Sequence, residues 1–209
     1  MTETNQQQDV TDAVREVVSS GTDIRQQVKD ITLQALTRGR LDMENIRNVT
    51  KAVVQGIDEG IAGRDEHAAE AFVHAANALD DALAVATEAS TLAIQEAAYK
   101  ASSQHDFNEA IKDIRNMEGL FIDTLEKLAK GSTQAVADIV NDFVAHAQKS
   151  GTAVGKQSFK ALNALADLPK ISADLIISST AATASALAEI GSGILMGIAE
   201  SLQPSHSKK

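Results

Sequence analysis

His67, Glu70 and His74 are the residues whose types and spacing come nearest to a chemical site. On a helix, steps of three and four residues place all three on one face. Helical bundles hold metals with such faces, but a di-metal carboxylate site needs Glu-x-x-His from two helices and two further Glu. Here the order is His-x-x-Glu-x-x-x-His, and the chain has no second copy of it. The same face runs on through Asn77, Asp81 and Glu88, the pattern of a solvated stripe. No metal and no cofactor is therefore expected, and a bundle metal protein built on the three residues is the weakest alternative. Asp142 and His146, four apart, read as a surface pair in the same way. Gly151-Thr152-Ala153-Val154-Gly155-Lys156 has some likeness to a phosphate loop, but the Gly-x-x-x-x-Gly-Lys-Ser/Thr spacing is not met and no strand pattern precedes it. No serine lies in a Gly-x-Ser-x-Gly elbow. With no cysteine, thiol chemistry, disulfides and Cys–zinc sites are excluded. The expectation is that the chain is not an enzyme.

The elements that carry these residues are helices. Residues 1–9 are polar and aperiodic, and are expected to form a disordered tail. Val14, Val17 and Val18 point one face of a short helix inward, and Gly21-Thr22-Asp23 supplies a break and a capping residue. Ile24, Val28, Ile31 and Ala35 recur at helical spacing until Gly39, and Asp42 is placed to cap the next helix, through Ile46, Val49, Val53 and Ile57. Gly56, Gly60 and Gly63 are expected to fray its end. From Arg64 to about Ser102 no Gly or Pro intervenes, and Leu79, Leu83, Ala86, Ser90, Ala93 and Ala97 alternate steps of four and three, the seam of a coiled coil. From Phe107 a second long stripe runs through Ile111, Ile114, Met117, Phe121, Leu125 and Leu128 to Val136, Ile139 and Phe143, with a kink or split expected at Gly131-Ser132. Phe159, Leu162, Leu165 and Leu168 make a short helix that Pro169 ends. The predicted organisation is a long-helix bundle over 10–150, then the short helix and a sparsely charged C-terminal helix packed on it over 151–203, then a disordered tail over 204–209. The fold class is all-α: an elongated bundle of long, Ala-rich amphipathic helices with coiled-coil-like packing.

Composition agrees. Trp is absent, Tyr occurs once and Phe five times among 209 residues, so the side chains that usually thicken a globular core are scarce. Ala, Leu, Glu, Gln and Lys lose little freedom in a helix and are abundant. The net charge is −10, and it lies before Gly151: from there on five Lys face four acidic residues. Such an acidic chain disfavours phosphate backbones, so no nucleic-acid partner is expected. The start, MTETNQQQDV, lacks the basic and apolar regions of a secretory signal, which makes the cytoplasm the expected compartment.

The C-terminal segment has three readings: a helix packed within the bundle, reversible contact with a lipid or polymer surface, and a membrane span. From Leu175 to Ala199 the one charge is Glu189, and the stretch is long enough to span a bilayer. Ser178 to Ala186 is all Ser, Thr and Ala, too polar for insertion, so packing within the bundle is the preferred expectation and reversible contact with a surface the second. Gly193 and Gly197 have the spacing of small-residue helix contacts.

From about Asp65 to Gly151 the chain resembles the phasins, bacterial proteins that coat polyhydroxyalkanoate storage granules. The similar stretch includes SSQHDFNEAIKDIRNMEGLFIDTLEKLAKGSTQAVADIVNDFVAHAQ, a Phe-led amphipathic helix beside an Ala-rich one. The C-terminal segment departs from the family pattern in its Ser, Thr and Gly content. The resemblance implies an oligomeric structural coat protein with no catalytic residues. On this reading the chain covers a hydrophobic granule or lipid surface, with contact expected at Leu175, Ile176, Ile194, Leu195, Ile114, Phe121 and Leu125. The alternative is a helical protein–protein interaction module that forms homo-oligomers.

Overall fold

Strong helix formers punctuated by a few stop signals give eight helices, and no strand among the described residues, in a computed structural model of the chain. The structure describes residues 3–62, 64, 67–100, 107–166 and 181–202. The helices are α1 (Glu3–Ser20), α2 (Ile24–Arg38), α3 (Met43–Ile61), α4 (Ala68–Lys100), α5 (Asn108–Gly131), α6 (Gln134–Ser150), α7 (Ala153–Ala166) and α8 (Ala181–Leu202). The protein is an all-α helical bundle. None of the described helices is long and apolar enough to cross a membrane.

Several boundaries fall where local chemistry places them. Gly21 takes a left-handed φ of 75° after α1. Asp42 caps α3 by accepting a hydrogen bond from the Asn45 backbone N–H at 2.9 Å. The long Phe-led stripe does split: α5 ends at Gly131, and Ser132 donates its backbone N–H to Leu128 O. Two expectations change. The first helix begins at Glu3, inside the stretch expected to be disordered, because Glu and Gln extend an existing helix at little cost and Gln8 bonds Asp12 one turn on. Asp23 stands before α2 in the left-handed region, φ 45°, and its side chain makes no cap bond. The tail over 204–209 lies outside the described residues.

Helix α4, 33 residues and about 50 Å long, is the hub. Helices α2, α7 and α8 pack along it, and α3, α5 and α6 touch it. Its buried set is wider than a two-helix seam: Ala75, Ala76, Ala78 and Ala82 are shielded along with Leu79, Leu83, Ala86 and Ala93. A helix touched from several sides must carry small side chains, which is what the Ala-rich sequence supplies. Phe72 and Phe121 meet the half-buried Phe143 edge to face, with ring centres 5.6 and 6.4 Å apart, and give the core its main aromatic cluster. Four buried threonines need no partner helix. Thr50, Thr87, Thr91 and Thr124 each donate to the carbonyl one turn back in their own helix.

The largest correction to the reading of α3 concerns its glycines. Gly56 and Gly60 lie buried inside the helix and do not fray it. A Cβ on Gly56 would come within 2.5 Å of Thr11 O and 2.8 Å of Val14 Cβ, and one on Gly60 within 2.7 Å of Val18 Cβ. Two glycines four apart thus let α1 settle directly on the α3 backbone. Thr11 Oγ1 closes the contact by donating to Ala52 O at 3.1 Å. At the far end Arg64 donates to Val18 O and Ser19 O, satisfying carbonyls at the end of α1. Gly56→Ala is expected to lower stability by about 1–3 kcal/mol, the usual cost of overpacking a tight contact. Urea denaturation followed by circular dichroism checks it; an unchanged midpoint would contradict the close crossing.

Candidate functional site

His67, Glu70 and His74 line an open cleft of about 760 Å³ between α2 and the start of α4. Glu70 and His74 pair across one helical turn at 3.7 Å, both largely exposed. Arg25 reaches over from α2 and places Nε and a terminal nitrogen on Asp81 Oδ2, at 3.2 and 2.8 Å. Asp81, on the stripe expected to be solvated, thus helps hold α2 to α4. No group of three or more His, Asp or Glu among the described residues has metal-holding geometry. Asp142 and His146 are both exposed on α6.

The glycine-containing segment after α6 has a definite structural role. It forms the N-terminus of α7, and the protein's own carboxylates fill that end. Asp80, 7 % exposed in the middle of α4, accepts from the Ala153 N–H at 2.6 Å and the Val154 N–H at 2.8 Å. Thr152 caps the same turn by accepting from the Gly155 N–H at 2.8 Å, and donates its own hydroxyl to Glu118 Oε1 at 2.6 Å. A Cβ on Gly155 would strike the Glu118 carboxylate. Two acids, from α4 and α5, therefore occupy the place an anionic ligand would take at a free helix start. Sequence reasoning missed Asp80. Its signal is a carboxylate within the apolar phase of α4, between Ala76 and Leu83.

Burial pushes the Asp80 carboxyl above its ordinary value of 3.8; the Val154 and Ala153 N–H groups pull it down, and Asp81 and Glu118 push it up further. Burial also raises Asp113, aided by Glu109 and Asp42 and opposed by Lys112 and Arg47. Asp113 lines the second large concavity, a groove of about 1030 Å³ between α3 and α5. That groove carries Arg47, Lys51, Lys112, Arg115 and Lys127 over a partly apolar floor.

The expected contact residues fall in three places. Ile114, Phe121 and Leu125 on α5, and Leu195 on α8, are buried in the core. Ile194 is half-buried against it. Leu175 and Ile176 lie outside the described residues. On α7 the apolar face is turned from the expected one: Val154, Ser158, Ala161 and Leu165 are buried, while Phe159 is 69 % exposed. The reason is the cap, because anchoring Ala153 and Val154 on Asp80 fixes which side of α7 meets α4. Ser158 Oγ is buried there with no hydrogen-bond partner among the described residues.

Two substitutions on this contact should act in opposite directions. Asp80→Ala strips two N–H groups of their acceptor and should cost about 1–2 kcal/mol. Ser158→Ala removes an unsatisfied buried oxygen and should stabilise by about 1 kcal/mol. The pH dependence has a definite sign. A raised folded-state pKa means the folded chain holds the Asp80 proton more tightly than the unfolded chain does. The associated stability is complete below pH 3.8 and is lost as pH rises through the folded-state value. Relative to Asp80→Asn, the wild-type chain should therefore gain stability on acidification from pH 7 to pH 4, measured by urea midpoints.

A protein-family comparison matches residues 1–204, nearly the whole chain, to a family of unknown function (DUF6781), and the chain belongs to that family. No curated protein and no solved structure matches it.

Proposed function

We propose that this DUF6781 protein is a non-enzymatic structural protein, a helical interaction module that works as a folded bundle and forms homo-oligomers. The observation that supports the reading is the burial of Ile114, Phe121, Leu125 and Leu195. These are the apolar residues a coat would need to present, and in the closed bundle they hold α5 and α8 in place. What remains outside is charged grooves and isolated apolar side chains, features that suit docking between proteins more than spreading on an oil phase. The two carboxylates at the α7 start, and the Arg25–Asp81 and Glu70–His74 pairs, are satisfied by neighbours within the chain. They act as structural groups.

Coating of a hydrophobic surface, which the phasin likeness implies, is the second reading. It draws on Phe159, 69 % exposed on α7, and on Met196, 48 % exposed on α8. Flotation with polyhydroxyalkanoate or triglyceride droplets separates the two. The module reading expects the protein to stay in the aqueous fraction, Phe159→Asp to change nothing, and Phe121→Asp to lower helicity and melting temperature. Wild-type protein that floats, and that stops floating on Phe159→Asp with its circular dichroism intact, would replace the module reading with the coat.

A further inference from the structure

The α3–α5 groove and the outer face of α8 complement one another in charge, shape and length. Helices α3 and α5 run side by side in the same direction: Asp113 feels Arg47 near their starts, and Ser132 donates to Asp58 at 2.9 Å near their ends. Five cations line the groove, Arg47, Lys51, Lys112, Arg115 and Lys127, against the carboxylates of Asp58, Asp113 and Asp123. All five cations are exposed, and among the described residues none has a carboxylate at salt-bridge distance. Four of them gather toward the starts of the two helices, and Lys127 stands alone toward the ends. Between them lie Leu120 and Val54, with Gly119, whose missing Cβ would meet nothing within 4 Å. A free phosphate or other small anion would have no use for that apolar middle. A third helix would.

Helix α8 has the matching pattern on the side turned away from its own bundle. Its inner face is spoken for. Ala188 and Leu195 are buried, Gly191 lies against Leu41, and Ser192 accepts from the Leu41 N–H at 2.8 Å. Over residues 188–200 its exposed residues are Glu189, Gly193, Met196, Gly197 and Glu200, at steps of four, three, one and three, so they share one face. The face has an acid at each end and a methionine in the middle. The two glycines have nothing within 4 Å of where a Cβ would sit. Glu189 and Glu200 are about 16 Å apart along the helix, and Arg115 and Lys127 are about 18 Å apart along α5. The small-residue pair at 193 and 197 is thus not used by any of the described residues, and it has the spacing for a close helix approach.

We propose that the protein self-associates by laying the outer face of α8 of one copy into the α3–α5 groove of another, with Glu189 and Glu200 meeting the cations at the two ends and Met196 seated between Leu120 and Val54. This rests on the interaction-module reading and gives it a partner, a second copy of the chain. Each copy carries both surfaces, so two copies exchanging α8 faces close a symmetric dimer, and a one-way contact builds a chain. With both copies at net charge −10, long-range repulsion opposes the approach. At about 0.15 M salt it is screened beyond roughly 8 Å, while direct contacts persist.

The test is sedimentation velocity of the full chain between about 1 and 100 µM at 0.15 M salt, with charge reversals at exposed positions. Wild-type protein should associate. Glu189→Lys with Glu200→Lys should weaken association at least tenfold, and so should Lys51→Glu with Arg115→Glu and Lys127→Glu. Mixing the two variants should restore the complex, because each reversed face then meets a reversed partner. Circular dichroism should be unchanged throughout. The cysteine-free chain allows a second readout: a Gly193→Cys chain mixed with a Gly119→Cys chain should form a disulfide-linked pair on mild oxidation. A wild-type monomer across the range, association that ignores both reversals, or loss without rescue on mixing would each overturn the proposal. Association that ignores both reversals overturns the α8–groove contact alone and leaves the module reading standing, whereas a wild-type monomer, or flotation dependent on Phe159, removes the module reading beneath it.

Discussion

Crowding around α4 is the constraint on which the rest of the structure depends. Interaxial distance between packed helices is set by the side chains at the contact, and values at the short end of 8–10 Å require small ones. With α2, α7 and α8 laid along α4, its surface has little room for large residues. Ala75, Ala76, Ala78, Ala82, Ala86 and Ala89 are accordingly all buried. Alanine contributes little apolar area per residue, so the stabilisation must come from many contacts spread along a long helix. The outer helices supply what α4 cannot: the valines of α1, the Ile and Val stripe of α3, and the Phe121–Phe143 contact between α5 and α6.

Small residues do the same work at the α1–α3 crossing, by a more extreme route. There the contact is backbone to backbone, with Gly56 and Gly60 beneath Val14 and Val18. Glycine inside a helix costs roughly 1 kcal/mol relative to alanine. The close approach offsets that cost by bringing the buried valines, and the Thr11 bond to Ala52 O, into reach. Polar groups follow the same economy of space. Buried threonines within α2, α3, α4 and α5 bond inside their own helices, whereas Asp80 reaches from the hub to the start of α7 and Asp81 from the hub to Arg25.

What the sequence made legible were features that depend on neighbours a few residues away. Asp42 as a cap, the break at Gly21, the split after Gly131 and the apolar face of α5 are all local, and each lies where spacing and propensity put it. The features that escaped depend on what another helix brings. Gly56 and Gly60 look like helix-ending residues until α1 is placed on them. Asp80 looks like one more acid in a run with Asp81, yet Asp81 turns to Arg25 and Asp80 to the α7 backbone. Phe159 fits an apolar stripe with Leu162 and Leu165 equally well by period. The deciding fact is a cap bond from a residue 73 positions away, which rotates α7 and leaves the ring in solvent. Periodicity fixes that a helix has a face, and only the tertiary anchor fixes which of two adjacent phases is buried.

The same distinction governs how the surface is to be read. Where carboxylates serve the fold they are matched: Asp80 and Glu118 at the α7 start, Asp81 with Arg25, Asp58 with Ser132. The acid excess of the chain is therefore not uniform in meaning, since part of it is spent inside as helix caps and interhelical links. Cations divide. Arg25 and Arg64 are engaged across elements, whereas those along the α3–α5 groove make no contact-distance salt bridge among the described residues, Arg47 and Lys112 acting on Asp113 only through their charge. In a chain with 29 acidic and 19 basic residues, bases are the scarcer kind. Five of them line one partly apolar groove together with Asp58, Asp113 and Asp123, and no side-chain hydrogen bond or ion pair among the described residues ties those five to the packing of the bundle.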